Sequence, residues 1–176
     1  MKIFVATRPP LDVRATLAGV MSDWDLPGKV VAADNWHLTL RYIGNMSETA
    51  TDRLLAELDQ ADLGGRFDAT LGGLGTFPKP SKASVLWLGL RRGGEQMIEL
   101  AETVDQAVDR IGAGAEDRPF VPHLTLARIR PPEDLRRLIE DIDVPPIPMP
   151  VDEIVVFSSV TAPTGPIYHP IESFSL

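Results

Sequence analysis

The tetrapeptide His-Leu-Thr-Leu occurs twice in the chain, at 37–40 and at 123–126, and it begins at two of the three histidines. In a β-strand, successive side chains point to opposite faces of the sheet. We therefore predict that the two leucines of each copy face the core, and that the histidine and threonine face away from it. Any fold of this chain has to accommodate two strands that each present an imidazole and a hydroxyl. A duplicated strand with a purely structural role would not need that polar pair.

The rest of the chain alternates between predicted strands and helices. Gly- and Pro-rich composition predicts a loop at 72–82 and an extended linker at 144–150. Strands interleaved with few long helices are typical of an α+β protein with mainly antiparallel sheets. An ancient duplication would place the two histidine strands at equivalent positions in two lobes of a single domain spanning residues 1–176. We predict strands at 2–7, 30–33, 36–44, 67–71, 83–90, 118–129 and, as a closing pair, 151–160 and 165–176, with helices at 11–24, 47–59, 95–111 and 131–142.

Composition excludes several classes of function. The absence of cysteine rules out disulfides, thiolate metal sites and thiol nucleophiles. No apolar run approaches the roughly 20 residues of a membrane helix, and the N-terminus lacks the features of a signal peptide, so we expect a cytoplasmic protein with no membrane partner. We also expect a monomer. A net charge of −8 argues against binding long duplex nucleic acid, which needs many Lys and Arg contacts to phosphates. The net charge does not exclude a local basic pocket that binds a single phosphate.

The repeated strand has the residues needed for acid–base chemistry on a phosphate. Imidazoles titrate near neutral pH, so one of His37 and His123 can act as a base while the other acts as an acid. The hydroxyls of Thr39 and Thr125 can donate hydrogen bonds to anionic oxygens. If two lobes face each other, the two histidine–threonine pairs line a common cleft. The residues alone do not say which imidazole has which role, and they also leave open a metal site, because histidine is a common ligand.

Further residues near the two copies are candidates for substrate binding. Strict alternation places Arg41 on the face of the first histidine, as a phosphate ligand, whereas Arg128 needs a twist or bulge to reach the phosphate. Phe4 and Tyr168 are candidates for stacking on a base. We assign Phe120 to packing between elements.

Four segments together resemble the two-histidine phosphoesterase superfamily, and more narrowly the bacterial RNA 2′,3′-cyclic phosphodiesterases, a family also named 2′-5′ RNA ligases. "NWHLTLRYIG" and "DRPFVPHLTLARIR" resemble its two motif blocks. "LGTFPKPSKASVLWLGL" resembles its Gly-x-Phe-Pro segment and the following strand. "EIVVFSSVTAPTGPIYHPIESFSL" resembles its tail. With the opening strand, the likeness covers nearly the whole chain.

The resemblance implies a bilobal α+β fold around a central cleft, no metal or other cofactor, and hydrolysis of a terminal 2′,3′-cyclic phosphate to a 2′-phosphate. The implied partners are RNA 3′ ends or nucleotides that carry this group, with 2′-5′ ligation of RNA as a minor activity. His123 is implied as proton acceptor and His37 as proton donor, with Thr39 and Thr125 on the phosphate oxygens. Two alternatives stay open: a non-catalytic module that binds RNA ends or nucleotides, and a phosphodiesterase for a small cyclic phosphate derived from ADP-ribose.

Overall fold

The fold is built on a curled sheet of nine strands, in which every pair of neighbours is antiparallel. The computed structural model describes the whole chain, from Met1 to Leu176. The strands are β1 (Lys2–Thr7), β2 (Lys29–Val30), β3 (Leu38–Asn45), β4 (Phe67–Lys79), β5 (Lys82–Arg92), β6 (Leu124–Glu133), β7 (Ile147–Val151), β8 (Glu153–Ala162) and β9 (Gly165–Ser175).

The strands form two lobes that meet along the histidine strands. Their order is β7-β4-β5-β6-β3-β1-β8-β9, with the short β2 beside β6. β3 and β6 are joined by a single antiparallel pair, Leu38 opposite Leu124. We call β3, β1, β8 and β9 the terminal lobe, because both ends of the chain form it, and β4 to β7 the central lobe. The α+β class, the antiparallel pairing and the two-lobed arrangement predicted from the sequence are confirmed, and the two predicted sheets are continuous through this pair.

Helices cover the face of the sheet on which the leucines of the two tetrapeptides lie. α3 packs on β3 and on α2, and α1 packs on β7, so helices bridge the two lobes. Ser47 caps α2 as predicted, since its hydroxyl accepts a hydrogen bond from the Ala50 backbone N–H at 3.2 Å. None of the helices has the length and hydrophobicity needed to span a membrane. The helices are α1 (Leu11–Met21), α2 (Glu48–Gln60), α3 (Gly94–Arg110) and α4 (Arg136–Asp141), with a 3₁₀ turn at Ala33–Asn35.

The predicted loop at 72–82 is wrong, because β4 continues through most of it to Lys79. Two of its glycines, Gly72 and Gly75, make room for large side chains of β5. A Cβ on Gly75 would collide with the ring of Trp87, and one on Gly72 would collide with the side chain of Arg91. Glycine in a strand often marks such a close approach.

The predicted linker at 144–150 is also wrong, because Ile147–Val151 forms β7. β7 lies at the edge of the sheet and pairs only with β4. Proline is tolerated on an edge strand, where its missing N–H costs no ladder hydrogen bond. The predicted helix at 131–142 begins later, at Arg136, because β6 extends through both prolines to Glu133.

Candidate functional site

The two tetrapeptides lie side by side in the middle of the sheet. Because Leu38 is opposite Leu124 in an antiparallel pair, the two copies are related by an approximate two-fold axis through this pair. All four leucines of the copies are buried in the core. The histidine and threonine of each copy therefore project from the other face of the sheet, as alternation predicts.

The four polar side chains of the two copies line one cavity of about 320 Å³, which we call the histidine cavity. The structure thus brings together His37, Thr39, His123 and Thr125, which are far apart in the sequence. Two cations, Lys29 and Arg128, lie in the same wall, and no carboxylate lines the cavity. Asn35, Tyr168 and Thr164, which lies in the turn between β8 and β9, complete the polar part of its lining.

Both imidazoles are oriented by the same local contact. Nδ1 of His37 lies 2.7 Å from the carbonyl oxygen of Asn35, and Nδ1 of His123 lies 2.6 Å from that of Val121. A carbonyl only accepts, so Nδ1 carries a proton and donates it in both rings. This leaves Nε2 of each neutral imidazole as the nitrogen available for proton transfer.

An aromatic cluster holds the His37 ring. The Phe4 centroid lies 5.0 Å and the Tyr168 centroid 5.1 Å from that of His37. Phe4 also stacks on Phe157 at 5.2 Å and is only 4% exposed, so it has no face open to a substrate base. The prediction that Phe4 stacks on a base is therefore wrong. Tyr168 lines the histidine cavity, and burial raises the pKa of its phenol.

Two different aromatic residues hold the His123 ring. The Phe77 centroid lies 4.9 Å from that of His123 with the rings nearly perpendicular, and the Trp87 centroid lies 5.9 Å away. Neither was a candidate from the sequence. The signal that could have found Phe77 is its place in the Gly-x-Phe-Pro segment, which we predicted to be a loop.

Burial lowers the pKa of both histidines below the usual value near 6.5. The hydrogen bond to the carbonyl opposes this shift in each ring. The positive charge of Arg128 lowers both values further, and His37 also responds to Arg8 and to His123 itself.

A bulge brings Arg128 into the histidine cavity. Along β6, Trp87 is opposite Thr125 and Leu86 is opposite Ala127, so Leu126 has no partner. The unpartnered residue reverses the alternation, and Leu126 and Ala127 are both buried in succession. Arg128 therefore turns to the side of the histidines, through the kind of irregularity that its prediction required.

Lys29 was not a candidate from the sequence. It begins β2, directly opposite Arg128 in the register with β6, and its Nζ donates to the carbonyl oxygen of Thr164 at 3.3 Å. The predicted strand at 30–33 begins one residue later, so Lys29 fell just outside it. Its pairing with β6 could be known only from the structure.

The prediction that Arg41 binds the phosphate is wrong for this structure. A bulge also occurs in β3, where Val5 is opposite Arg41 and Ala6 is opposite Thr39, so Leu40 has no partner. Arg41 is consequently turned away from the histidine cavity. Its guanidinium forms ion pairs with Asp105 at 2.9 Å and Glu116 at 2.8 Å, and it donates to the Gly114 carbonyl at 2.8 Å.

Nowhere in the structure do three or more histidine or carboxylate side chains gather as a set of metal ligands.

Comparison with known proteins gives a consistent result. Residues 26–162 match the model of the 2′-5′ RNA ligase superfamily. A curated relative, the RNA 2′,3′-cyclic phosphodiesterase of Thermotoga maritima, is 35% identical over 140 residues, which covers 78% of this chain and 74% of the relative. The protein of the same name from Escherichia coli is 29% identical, covering 99% and 96% of the two chains.

Solved structures show the same architecture. The crystal structure of Escherichia coli LigT complexed with 3′-AMP aligns with a TM-score of 0.81 and 28% identity, over 99% of this chain and 97% of that one. The crystal structure of TT0787 of Thermus thermophilus aligns with a TM-score of 0.80 and 31% identity, over 100% and 98%.

Proposed function

Because the chain belongs to the 2′-5′ RNA ligase superfamily, we propose that it hydrolyses the 2′,3′-cyclic phosphate at the end of an RNA or nucleotide to a 2′-phosphate. The observation that carries this proposal is the histidine cavity, which is lined by two imidazoles and two threonine hydroxyls. Two cationic side chains also line this cavity, and no carboxylate does. A singly charged cyclic phosphate fits that chemistry. The curated relatives named above are RNA 2′,3′-cyclic phosphodiesterases.

In the proposed reaction, water attacks the phosphorus in line with the bond to the 3′-oxygen. Nε2 of His123 accepts the proton of the water, and Nε2 of His37, protonated, gives its proton to the departing 3′-oxygen. The new bond joins the water oxygen to phosphorus, the bond to the 3′-oxygen breaks, and the 2′-ester remains. A positioned acid or base of this kind contributes roughly 10²–10⁴ in rate.

The remaining polar residues stabilise the charge that develops on phosphorus. Thr39 and Thr125 donate hydrogen bonds to the two non-bridging oxygens from opposite sides. Arg128 and Lys29 place positive charge in the same wall. The bound phosphate, being negative, opposes the lowering of the histidine pKa values by burial and by these cations, and so favours a protonated His37 in the complex.

The test is incubation with a short RNA that ends in a 2′,3′-cyclic phosphate, with the product identified by ³¹P NMR. We expect a 2′-phosphomonoester, formed equally well in the presence of EDTA. The matched control is the double variant His37→Ala/His123→Ala, which should bind the RNA end but release no product. A 3′-phosphate product would contradict the assigned leaving group, and binding without turnover by the wild type would indicate the non-catalytic alternative.

The choice between RNA ends and a small substrate is tested with the same assay. We compare the RNA with the cyclic phosphate of ADP-ribose as substrates. A higher kcat/KM for the ADP-ribose compound would favour the small-molecule alternative.

A further inference from the structure

The carbonyl oxygen that orients His37 belongs to the 3₁₀ turn Ala33–Asn35, directly before the first tetrapeptide. The last carbonyls of a helical turn have no partner within it. In this turn, Nδ1 of His37 donates to the Asn35 carbonyl at 2.7 Å, and the Asp34 carbonyl accepts from a side chain of another element. The direction of the His37 ring therefore depends on how this turn is held in place.

Arg8 reaches the turn from the end of β1. Its Nη2 donates a hydrogen bond to the Asp34 carbonyl oxygen at 2.7 Å. Basic side chains commonly bind the last carbonyls of a helical turn in this way. Pro9 follows Arg8 and favours an extended backbone at Arg8, so the side chain starts from a well-defined point. The guanidinium forms no salt bridge with a carboxylate, and the turn is its hydrogen-bond partner.

The same guanidinium packs on the aromatic cluster that holds His37. Its Cζ lies 5.9 Å from the ring centroid of Phe157, within the range of a cation–π contact. Phe157 stacks on Phe4, and Phe4 packs on the His37 ring. Arg8 thus contacts both supports of this imidazole, the turn that provides its acceptor and the stack of rings beside it.

A second side-chain hydrogen bond connects the turn to the last strand. Nδ2 of Asn35 donates to the carbonyl oxygen of Pro166 in β9 at 3.2 Å. The turn is therefore joined to β1 through Arg8 and to β9 through Asn35. The segment before His123, which provides the Val121 carbonyl, has no turn of this kind. These two hydrogen bonds are a feature of the surroundings of His37 alone.

We infer that Arg8 and Asn35 are positioning residues for His37, which hold the 3₁₀ turn in place and so direct Nε2 of that imidazole toward the 3′-oxygen. The inference rests on the proposed function, in which His37 gives its proton to that oxygen. Both residues act through the Asn35 carbonyl, so their effect is on the direction of the proton donor.

The experiment measures kcat of Arg8→Met and Asn35→Ala on two substrates, uridine 2′,3′-cyclic phosphate and its analogue with sulfur in place of the 3′-oxygen. A displacement of about 1 Å in an active site can cost roughly a hundredfold in rate. Because the other hydrogen bond remains, we expect each variant to lower kcat on the oxygen substrate about tenfold. A thiolate leaves without a proton, so kcat on the sulfur analogue should stay at the wild-type value.

The charge of Arg8 is separated from its position in two ways. Burial is the main cause that lowers the pKa of His37, and the positive charge of Arg8 lowers it further. Loss of that charge by itself favours protonated His37 and would raise the rate, which is opposite to the expected loss. The matched control is Arg14→Met, because Arg14 lies 3.6 Å from the exposed Asp34 carboxylate and contributes little through such a pair. It should leave kcat on both substrates unchanged.

NMR gives a readout that needs no substrate. Imidazole ¹⁵N shifts identify the nitrogen that carries the proton in a neutral ring, and the chain has only three histidines to assign. At a pH at which the rings are neutral, we expect the Nδ1–H form of His37 in the wild type and a shift toward the Nε2–H form in both variants. His123 should keep its Nδ1–H form throughout.

The two readouts distinguish failure of the inference from failure of the proposed function. If the wild type hydrolyses neither substrate, the proposed function fails, and the tautomer of His37 still decides whether Arg8 and Asn35 position the ring. Equal losses on the oxygen and sulfur substrates, the same loss in Arg14→Met, or an unaltered His37 tautomer in both variants would overturn the inference.

Discussion

The wall around His37 and the wall around His123 begin from identical tetrapeptides and differ in their surroundings. His37 packs between Phe4 and Tyr168 in the terminal lobe and is the more deeply buried ring. His123 packs against Phe77 and Trp87 of the central lobe. Arg8 lowers the pKa of His37 alone, in addition to the larger effect of burial.

The comparison separates two kinds of contribution. Features that the walls share set the tautomer and direction of each imidazole: the Nδ1 hydrogen bond to a carbonyl two residues earlier, a pair of aromatic neighbours, and a bulge at the fourth residue. Features that differ set how readily each ring is protonated and what lies beside it. The shared features thus give the two imidazoles the same geometry, and the differing neighbours give them different surroundings.

The largest expected effect comes from removing either imidazole. His37→Ala and His123→Ala should each lower kcat by roughly 10²–10⁴, because each removes one positioned proton-transfer group. A substrate with sulfur in place of the 3′-oxygen tells the roles apart, since a thiolate leaves without a proton. His37→Ala should regain most of its rate on this substrate and His123→Ala should not. The reverse pattern would exchange the two roles, and full activity of both variants on the natural substrate would exclude the mechanism.

A smaller loss is expected at the threonines. Thr39→Val and Thr125→Val each remove one donor to the phosphate while the other stays in place, so each should lower kcat about tenfold to a hundredfold. Steady-state kinetics on the cyclic nucleotide measures this. A large loss in only one variant would mean that the two walls do not share the phosphate oxygens.

The arginines should separate binding from stability. Arg128→Gln should raise KM about tenfold without affecting folding, because its charge serves the histidine cavity. Arg41→Gln should lower the free energy of unfolding by roughly 1–3 kcal/mol, because it leaves the partly buried Asp105 without its partner. Urea denaturation and substrate saturation curves on both variants check this. A rise in KM for the cyclic phosphate substrate in Arg41→Gln would restore Arg41 as a phosphate ligand.

The smallest expected effect is on titration. Burial lowers the pKa of both histidines, so both values should lie below 6.5 in the free protein when followed by NMR of the imidazole carbons. Arg8→Met removes a positive charge near His37 and should raise the pKa of His37 while that of His123 stays in place. Equal shifts in both rings would show that the two walls are not electrostatically distinct.

Alternation within the tetrapeptides was enough to predict the face of both histidines and both threonines. It failed at the next residue, because a bulge depends on the register with the neighbouring strand. The bulge at Leu40 turns Arg41 away from the site, and the bulge at Leu126 turns Arg128 toward it.

Other errors have the same origin in long-range contacts. Position 75 requires glycine because the ring of Trp87 crosses it, although the Gly- and Pro-rich composition of the segment 72–82 predicts a loop. The burial of Phe4 depends on Phe157, which arrives from a strand near the other end of the chain. Lys29 becomes part of the site only through its pairing with β6.

The division of the sheet into a terminal and a central lobe also bears on the order in which the protein is made. The central lobe is continuous in the chain, from Phe67 to Val151, whereas the terminal lobe needs β1 and β3 from the beginning and β8 and β9 from the end. During synthesis, the surroundings of His123 are complete while the ribosome still holds Tyr168. The wall around His37 is therefore completed last, because it needs the ring of Tyr168 from β9.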